Sequence, residues 1–241
     1  MKKLIFFVYI KTVGKFLRLS QNTLRVQSNS ERLFDFIDQL VFRDCAQYAS
    51  NNFSEALRFR TRQEMWSFCL KKIHEVQPNG DGIIAEFGVW SGRSINFFAK
   101  NSPKSRLFGF DSFEGLEEDW VGSNLQKGSF NRNGRLPKVA SNVKLTKGWF
   151  EDTVPEFVNQ LGMEKILLLH MDADTYKPTR CVLNLIINNL GKGSILIFDE
   201  YFGYSGWRLH EFKAWQEMVE LHNIQYRYIG YGPEQVAIEL L

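Results

Sequence analysis

The rhythm of apolar and polar positions changes near residue 80. Residues 31–80 carry apolar side chains at helical spacing, whereas from Ile83 onward short apolar runs alternate with amphipathic stretches. Ile83–Phe87 predicts a strand, followed by a turn over residues 88–92 and a helix through Lys100. Residues 106–110 predict a second strand, ending at Asp111, residues 143–146 a third and residues 165–171 (KILLLHM) a fourth. A helix over about residues 178–190 leads through Gly191 and Gly193 into a fifth strand, residues 194–198 (SILIF). Apolar runs with punctuated ends suit strands buried on both faces. Leu209, Phe212, Trp215, Met218 and Leu221 then recur at helical spacing and predict an amphipathic helix. Residues 225–229 and 235–240 close the chain as two strands, with Gly230 and Gly232-Pro233 between them. This order predicts an α/β sandwich built on a Rossmann-like, seven-stranded sheet with one antiparallel strand in a terminal hairpin. Its ligands are expected at the carboxyl ends of the strands. Residues 1–80 are expected to form an N-terminal helical arm and cover, and residues 81–241 the α/β domain.

At 241 residues with 44% hydrophobic positions, the chain can bury the core such a sheet needs. Cys45, Cys69 and Cys181 lack CxxC or Cys/His ligand spacing, which favours a reducing, cytoplasmic setting over a disulfide framework or a structural zinc. The net charge of +3 is unevenly placed: residues 1–30 hold six basic groups and no acidic one, leaving 24 basic against 27 acidic groups beyond them. The slightly acidic remainder disfavours nucleic acid as a partner. Within the basic arm, residues 4–10 are apolar without interruption, too short a run to span a bilayer. Three readings of the arm stay open: a helix packed on its own domain or on a second copy in a homodimer, peripheral contact with an anionic membrane, or a targeting segment.

The first strand–helix turn reads Glu86-Phe87-Gly88-Val89-Trp90-Ser91-Gly92-Arg93-Ser94. Glycines at 88 and 92 permit a sharp turn and close approach of a ligand at a helix N-terminus. The spacing is not GxGxxG, so a dinucleotide pyrophosphate is not its natural occupant. An acidic residue before the first glycine repels phosphate and can accept from an ammonium, which S-adenosylmethionine (SAM) offers. A tight strand–helix corner with no ligand is the bland alternative. Asp111, at the end of the second strand, is placed to take the hydroxyls of a ribose, or to cap the following turn. Trp149 and Phe150, after the third strand, can flank an adenine or belong to the core.

The fourth strand runs into His170-Met171-Asp172-Ala173-Asp174 and the fifth into Phe198-Asp199-Glu200-Tyr201. Neighbouring strand ends bring four carboxylates to one rim, where they repel unless a cation joins them. All-oxygen ligands favour Mg²⁺ or Mn²⁺ over zinc, while helix capping by Asp172 and Asp199 is the alternative. His170 beside this cluster reads as a hydrogen-bonded structural residue, and His210, one turn into the Leu209 helix, either faces an acceptor or does not.

Four of these stretches, EFGVWSGRS, GFDSFEGL (residues 109–116), HMDADTY (residues 170–176) and IFDEY (residues 197–201), resemble the macrocin-type (TylF-like) O-methyltransferases, class I SAM-dependent enzymes that methylate sugar hydroxyls. The resemblance runs from about residue 83 to residue 202. It implies that Glu86, Gly88, Ser91 and Ser94 line the methionine end of SAM and that Asp111, with Ser112 and Phe113 behind it, holds the ribose; Gly92 in the turn and Trp149 after the third strand are expected at the donor as well. It also implies metal ligands at Asp172, Asp199 and Glu200 and a general base at Asp174. The family usually has a second aspartate where this chain has Glu200.

The function implied is metal-assisted methyl transfer from SAM to a hydroxyl of a small molecule, sugar or glycoconjugate, a vicinal diol suiting chelation best. The rivals are a SAM-binding module without catalysis and an NAD-dependent oxidoreductase, the latter disfavoured by the missing GxGxxG.

Overall fold

The computed structural model describes residues 29–79 and 82–241. The basic arm and its apolar run therefore lie outside the described residues, save for its last two positions. The chain divides into two units, residues 1–40 and 41–241. In the first, the opening turns of helix α1 (Asn29–Asn52) expose Leu33, Phe34, Phe36 and Leu40. Among the described residues no helix is long and apolar enough to cross a membrane.

In the second unit the predicted strands form one sheet. In chain order the elements are β1 (Leu57–Arg58), α2 (Arg62–Val76), β2 (Ile83–Phe87), α3 (Arg93–Asn101), β3 (Arg106–Asp111), β4 (Val143–Lys147), α4 (Phe150–Leu161), β5 (Ile166–Met171), α5 (Tyr176–Ile186), β6 (Ile195–Phe198), α6 (Glu211–His222), β7 (Tyr226–Tyr231) and β8 (Val236–Leu240). The sheet order is β1-β7-β8-β6-β5-β2-β3-β4, with β8 antiparallel to both of its neighbours and the other pairs parallel. The terminal hairpin is as expected. The eighth strand, β1, was not: two residues are too few to leave an apolar period, and β1 adds to the edge only by pairing with Gly230 and Tyr231.

Alternate strand positions feed two apolar layers. Ile83, Ala85 and Phe87 of β2 join Phe157, Leu183 and Trp215 from α4, α5 and α6 on one face. Ile84, Leu168 and Ile197 join Trp66, Ile73 and Phe98 from α2 and α3 on the other. Residues Glu86 and His170 have the parity of this second layer. The α2 start is fixed by a capping box: Thr61 Oγ1 accepts from Glu64 N–H at 3.2 Å, and the Glu64 carboxylate accepts from Thr61 N–H at 3.2 Å.

Two predicted helices differ in their ends and faces. Helix α5 starts at Tyr176 and gives way at its end to a 3₁₀ turn, Ile187–Asn189. Helix α6 begins only at Glu211, because the 3₁₀ turn Trp207–Leu209 buries Trp207 and leaves Leu209 50% exposed. Its buried face is Glu211, Ala214, Trp215 and Met218, and Leu221 is exposed. The predicted stripe therefore missed the polar residue that anchors the helix.

Candidate active site

Three strand ends meet where the sheet order reverses, with β2 followed by β3 and β4 on one side and by β5 and β6 on the other. Backbone bonds continue past the strands: Gly88 N–H donates to Phe110 O at 2.9 Å, Asp172 N–H to Phe87 O at 2.8 Å and Asp199 N–H to Met171 O at 2.9 Å. Gly88 has φ +96°, and a Cβ there would lie 1.7 Å from the Asp172 carbonyl oxygen. The close approach that demands glycine is thus to the β5 terminus as well as to the cavity.

Asp111 fixes the same turn from the side. Its Oδ2 accepts from Val89 N–H at 2.9 Å and Trp90 N–H at 2.7 Å, and its Oδ1 accepts from Phe113 N–H at 2.6 Å. The carboxylate therefore ties the loops after β2 and β3 together while lining the cavity.

Beneath the rim runs a buried polar chain. Glu86 and His170 are register partners across β2 and β5. Ser94 Oγ donates to Glu86 Oε1 at 3.0 Å, His170 Nδ1 lies 3.1 Å from Glu86 Oε2, and His170 Nε2 lies 3.3 Å from Asp199 Oδ1. With carboxylates on both ring nitrogens, His170 is an imidazolium. Burial alone would lower its pKa, but the hydrogen bonds to Asp199 and Glu86 outweigh that and raise it to about 10. Burial likewise opposes ionisation of Asp199, but His170 and Arg62 hold its carboxyl below the usual range. Arg62, at the capped start of α2, places Nη1 2.6 Å from Asp199 Oδ2, with Nη2 3.5 Å from Glu200 and 3.3 Å from Glu234.

The other carboxyls behave oppositely. Asp172 and Glu200 are raised by burial and by the charge of Asp199, and Asp174 reaches about 8 through burial, Asp199 and Asp111. Asp174 also sits in the left-handed region, at φ 61°. Ligand atoms of Asp172, Asp174 and Glu200 lie within 4.8 Å of one another, as do those of His170, Asp172 and Asp199. The four predicted carboxylates do converge, but in two overlapping groups, and Asp199 is already ion-paired.

A cavity of about 470 Å³ covers this rim, and its walls include Gly88, Asp111, Ser112, Trp149, Asp172, Asp174 and Glu200. Glu86, Ser91, Gly92, Ser94 and Asp199 are not among its lining residues. Glu86, Ser94 and Asp199 belong instead to the chain beneath it, and Gly92 is the N-cap of α3. His210 precedes α6 rather than lying within it, and its Nε2–H donates to Val121 O at 2.7 Å. The sequence reading missed Arg62 and Glu211. Buried Glu211 accepts from Ala173 N–H at 3.4 Å and Glu200 N–H at 3.0 Å, clamping the loops after β5 and β6. The Thr61-x-x-Glu64 box would have placed Arg62 in a first helical turn; no local signal marks Glu211.

Comparison with known proteins finds relatives of this framework. Residues 85–201, from β2 through the acidic rim, match the family described as a methyltransferase domain. Over 165 residues the chain is 25% identical to 8-demethyl-8-(2,3-dimethoxy-alpha-L-rhamnosyl)-tetracenomycin-C 4'-O-methyltransferase of Streptomyces olivaceus, covering 58% of this chain and 60% of that protein. It is 26% identical to mycinamicin III 3''-O-methyltransferase of Micromonospora griseorubida, covering 50% of this chain and 55% of that one. The matches thus span less than two thirds of these relatives. The chain also shares its fold with CalS11, calicheamicin methyltransferase, at a TM-score of 0.58 and 24% identity over 88% of this chain and 93% of that one. The apo structure of CalS11 is named TDP-rhamnose 3'-O-methyltransferase (TM-score 0.52).

Proposed function

We propose that the chain is a SAM-dependent O-methyltransferase that methylates a hydroxyl of a sugar or other diol, on a small molecule or glycoconjugate, with the help of a divalent cation. The observation that carries this reading is the meeting, on one cavity, of the Gly88–Asp111 turn with the carboxyls of Asp172, Asp174 and Glu200. The sugar O-methyltransferases it resembles support the acceptor class.

The donor is expected against the turn, its ribose beside Asp111 and Ser112 and its adenine near Trp149. Glu86 and Ser94 would act from beneath by holding the turn. The rim suits Mg²⁺ or Mn²⁺: its donors are oxygens, and the buried Glu200 Oε2 accepts no hydrogen bond. Asp172 and Glu200 would hold the cation, joined by Asp199 only if it exchanged its Arg62 partner for the metal, and a bound cation would lower the pKa of an acceptor hydroxyl and orient it. Asp174 would take the hydroxyl proton as the new C–O bond forms. The methyl carbon's bond to sulfur breaks at the same time, its electron pair staying on sulfur. Without a cation, burial and the charges of Asp199 and Asp111 raise the Asp174 pKa to about 8; a cation held beside it would lower that value toward the carboxylate form a general base needs.

Calorimetry with S-adenosylhomocysteine and with NAD tests the donor assignment. Binding of the first alone is expected, and Asp111→Ala should weaken it about ten- to a hundredfold, as the loss of a charge-assisted bond implies. Preference for NAD would reject the reading. Methyl transfer that survives a chelator would reject the metal.

A further inference from the structure

Building on that methyltransferase reading, we infer that the acceptor sugar carries no phosphate. It is a neutral or amine-bearing glycoside, already joined to its aglycone, and not a nucleoside diphosphate sugar.

The charges lining the cavity carry this inference. Among the described residues seven acidic side chains line it, against a single cationic one, Arg62. That guanidinium is committed to Asp199, Glu200 and Glu234. A metal ion and the donor sulfonium would offset the carboxylates around Asp172. They would leave Glu117 and Glu151, exposed carboxylates of the cavity wall that no base pairs among the described ion pairs. The α4 N-terminus, which borders the cavity, offers no anion site either, because Glu151 and Asp152 occupy its first turn. Nearby bases are turned to the chain's own groups: Lys147 Nζ donates to Gly134 O at 3.2 Å, and Lys177 pairs with Glu118 at 2.9 Å. A pyrophosphate would meet like charge, and Arg62, the one cation among the described lining residues, is already paired.

The remaining wall suits an uncharged ring. Trp90, Trp120, Phe130, Trp149 and Leu116 present aromatic and aliphatic surface to the cavity. Such faces pack against the C–H face of a sugar, and an ammonium would be favoured both by the aromatic rings and by the carboxylates. The reaction that supplies the acceptor is then a glycosyl transfer, in which the sugar has already lost its nucleotide.

The test uses the full chain with SAM and Mg²⁺ and compares matched pairs: methyl α-rhamnoside with TDP-rhamnose, methyl glucoside with UDP-glucose, and methyl glucosaminide with UDP-glucosamine. The glycoside of a productive pair should show kcat/KM roughly tenfold or more above its nucleotide sugar, as like-charge juxtaposition implies. Glu117→Lys and Glu151→Lys should narrow that gap at low salt. A nucleotide sugar used as well as its glycoside would overturn the inference. A second arm needs no turnover: tryptophan fluorescence of the protein saturated with S-adenosylhomocysteine, titrated with metal-free thymidine diphosphate. No saturable quenching below about 1 mM is expected. Tighter binding, lost on raising salt, would overturn the inference. If no acceptor of any pair is methylated, the methyl-transfer reading fails, and this binding arm still decides the charge argument.

Discussion

Arg62 and His170 decide which carboxylates of the rim are free. Both bind Asp199, so its loss would strand a buried imidazolium and a half-exposed guanidinium. Asp199→Asn should therefore cost about 3 kcal/mol of stability, the low end for a broken buried pair because Arg62 is partly solvated. Asp172→Asn and Glu200→Gln, whose carboxyls are pushed up rather than paired down, should instead weaken Mg²⁺ binding with little loss of melting temperature. Thermal melts and metal titration check both. Equal stability losses at all three positions would show that Asp199 is not the anchor. Asp174→Asn should lower turnover by about 10²–10⁴-fold without rescue by metal. Near-normal turnover at saturating metal would leave proton removal elsewhere. The pH dependence has a defined sign. The folded-state pKa of Asp174 is raised from 3.8 to about 8, and that of His170 from 6.5 to about 10, so each favours the folded state below its unfolded value and loses that contribution as pH rises through the folded one. The metal-free protein should lose melting temperature from about pH 4 to about pH 10, and Asp174→Asn should flatten the first part of that fall. At this scale the acidic residues were legible because each pair sits within three positions of a strand end. Arg62 and Glu211 were not, since their partners lie 138 and 11 positions away and only the fold joins them.

The elements place these residues through strand ends and two clamps. Gly88 is where β2 passes the β5 terminus, and a side chain there meets backbone that cannot turn aside. Gly88→Ala should cost at least about 1–3 kcal/mol from the left-handed strain alone and should weaken donor binding by displacing Asp172. A melt and an S-adenosylhomocysteine titration measure the two effects. Helix α6 works from the other side. Glu211→Gln puts an amide N–H against a backbone N–H and leaves a buried donor unpaired, a cost of about 1–3 kcal/mol. Metal affinity should fall with it, because Glu200 is held by that bond; wild-type metal affinity in a folded Glu211→Gln protein would remove Glu211 from the site. The long apolar strands were readable in sequence because burial on both faces writes an unbroken run. The face of α6 was not, because its anchoring position is a glutamate and the exposed Leu209 and Leu221 completed a false stripe.

At the scale of the molecule, the sheet reversal gathers the Gly88–Asp111 turn and the acidic rim of Asp172, Asp174 and Glu200 around one cavity of about 470 Å³. The terminal hairpin followed from the alternation of runs, as did the neighbouring ends of β5 and β6. The cavity's outer wall did not, since the loop of residues 112–142 between β3 and β4 contributes Leu116, Trp120 and Phe130 without any periodic signal. The central claim is transfer of a methyl group to a sugar oxygen, and one measurement addresses it directly. The full chain is incubated with Mg²⁺, SAM bearing an isotope-labelled methyl group and a panel of neutral and amino glycosides, and the products are followed by NMR. A new O-methyl signal correlated to a single ring carbon is expected, formed in step with S-adenosylhomocysteine and abolished by Asp174→Asn. The labelled methyl appearing on nitrogen or carbon, or SAM bound and never consumed across the panel, would contradict that claim.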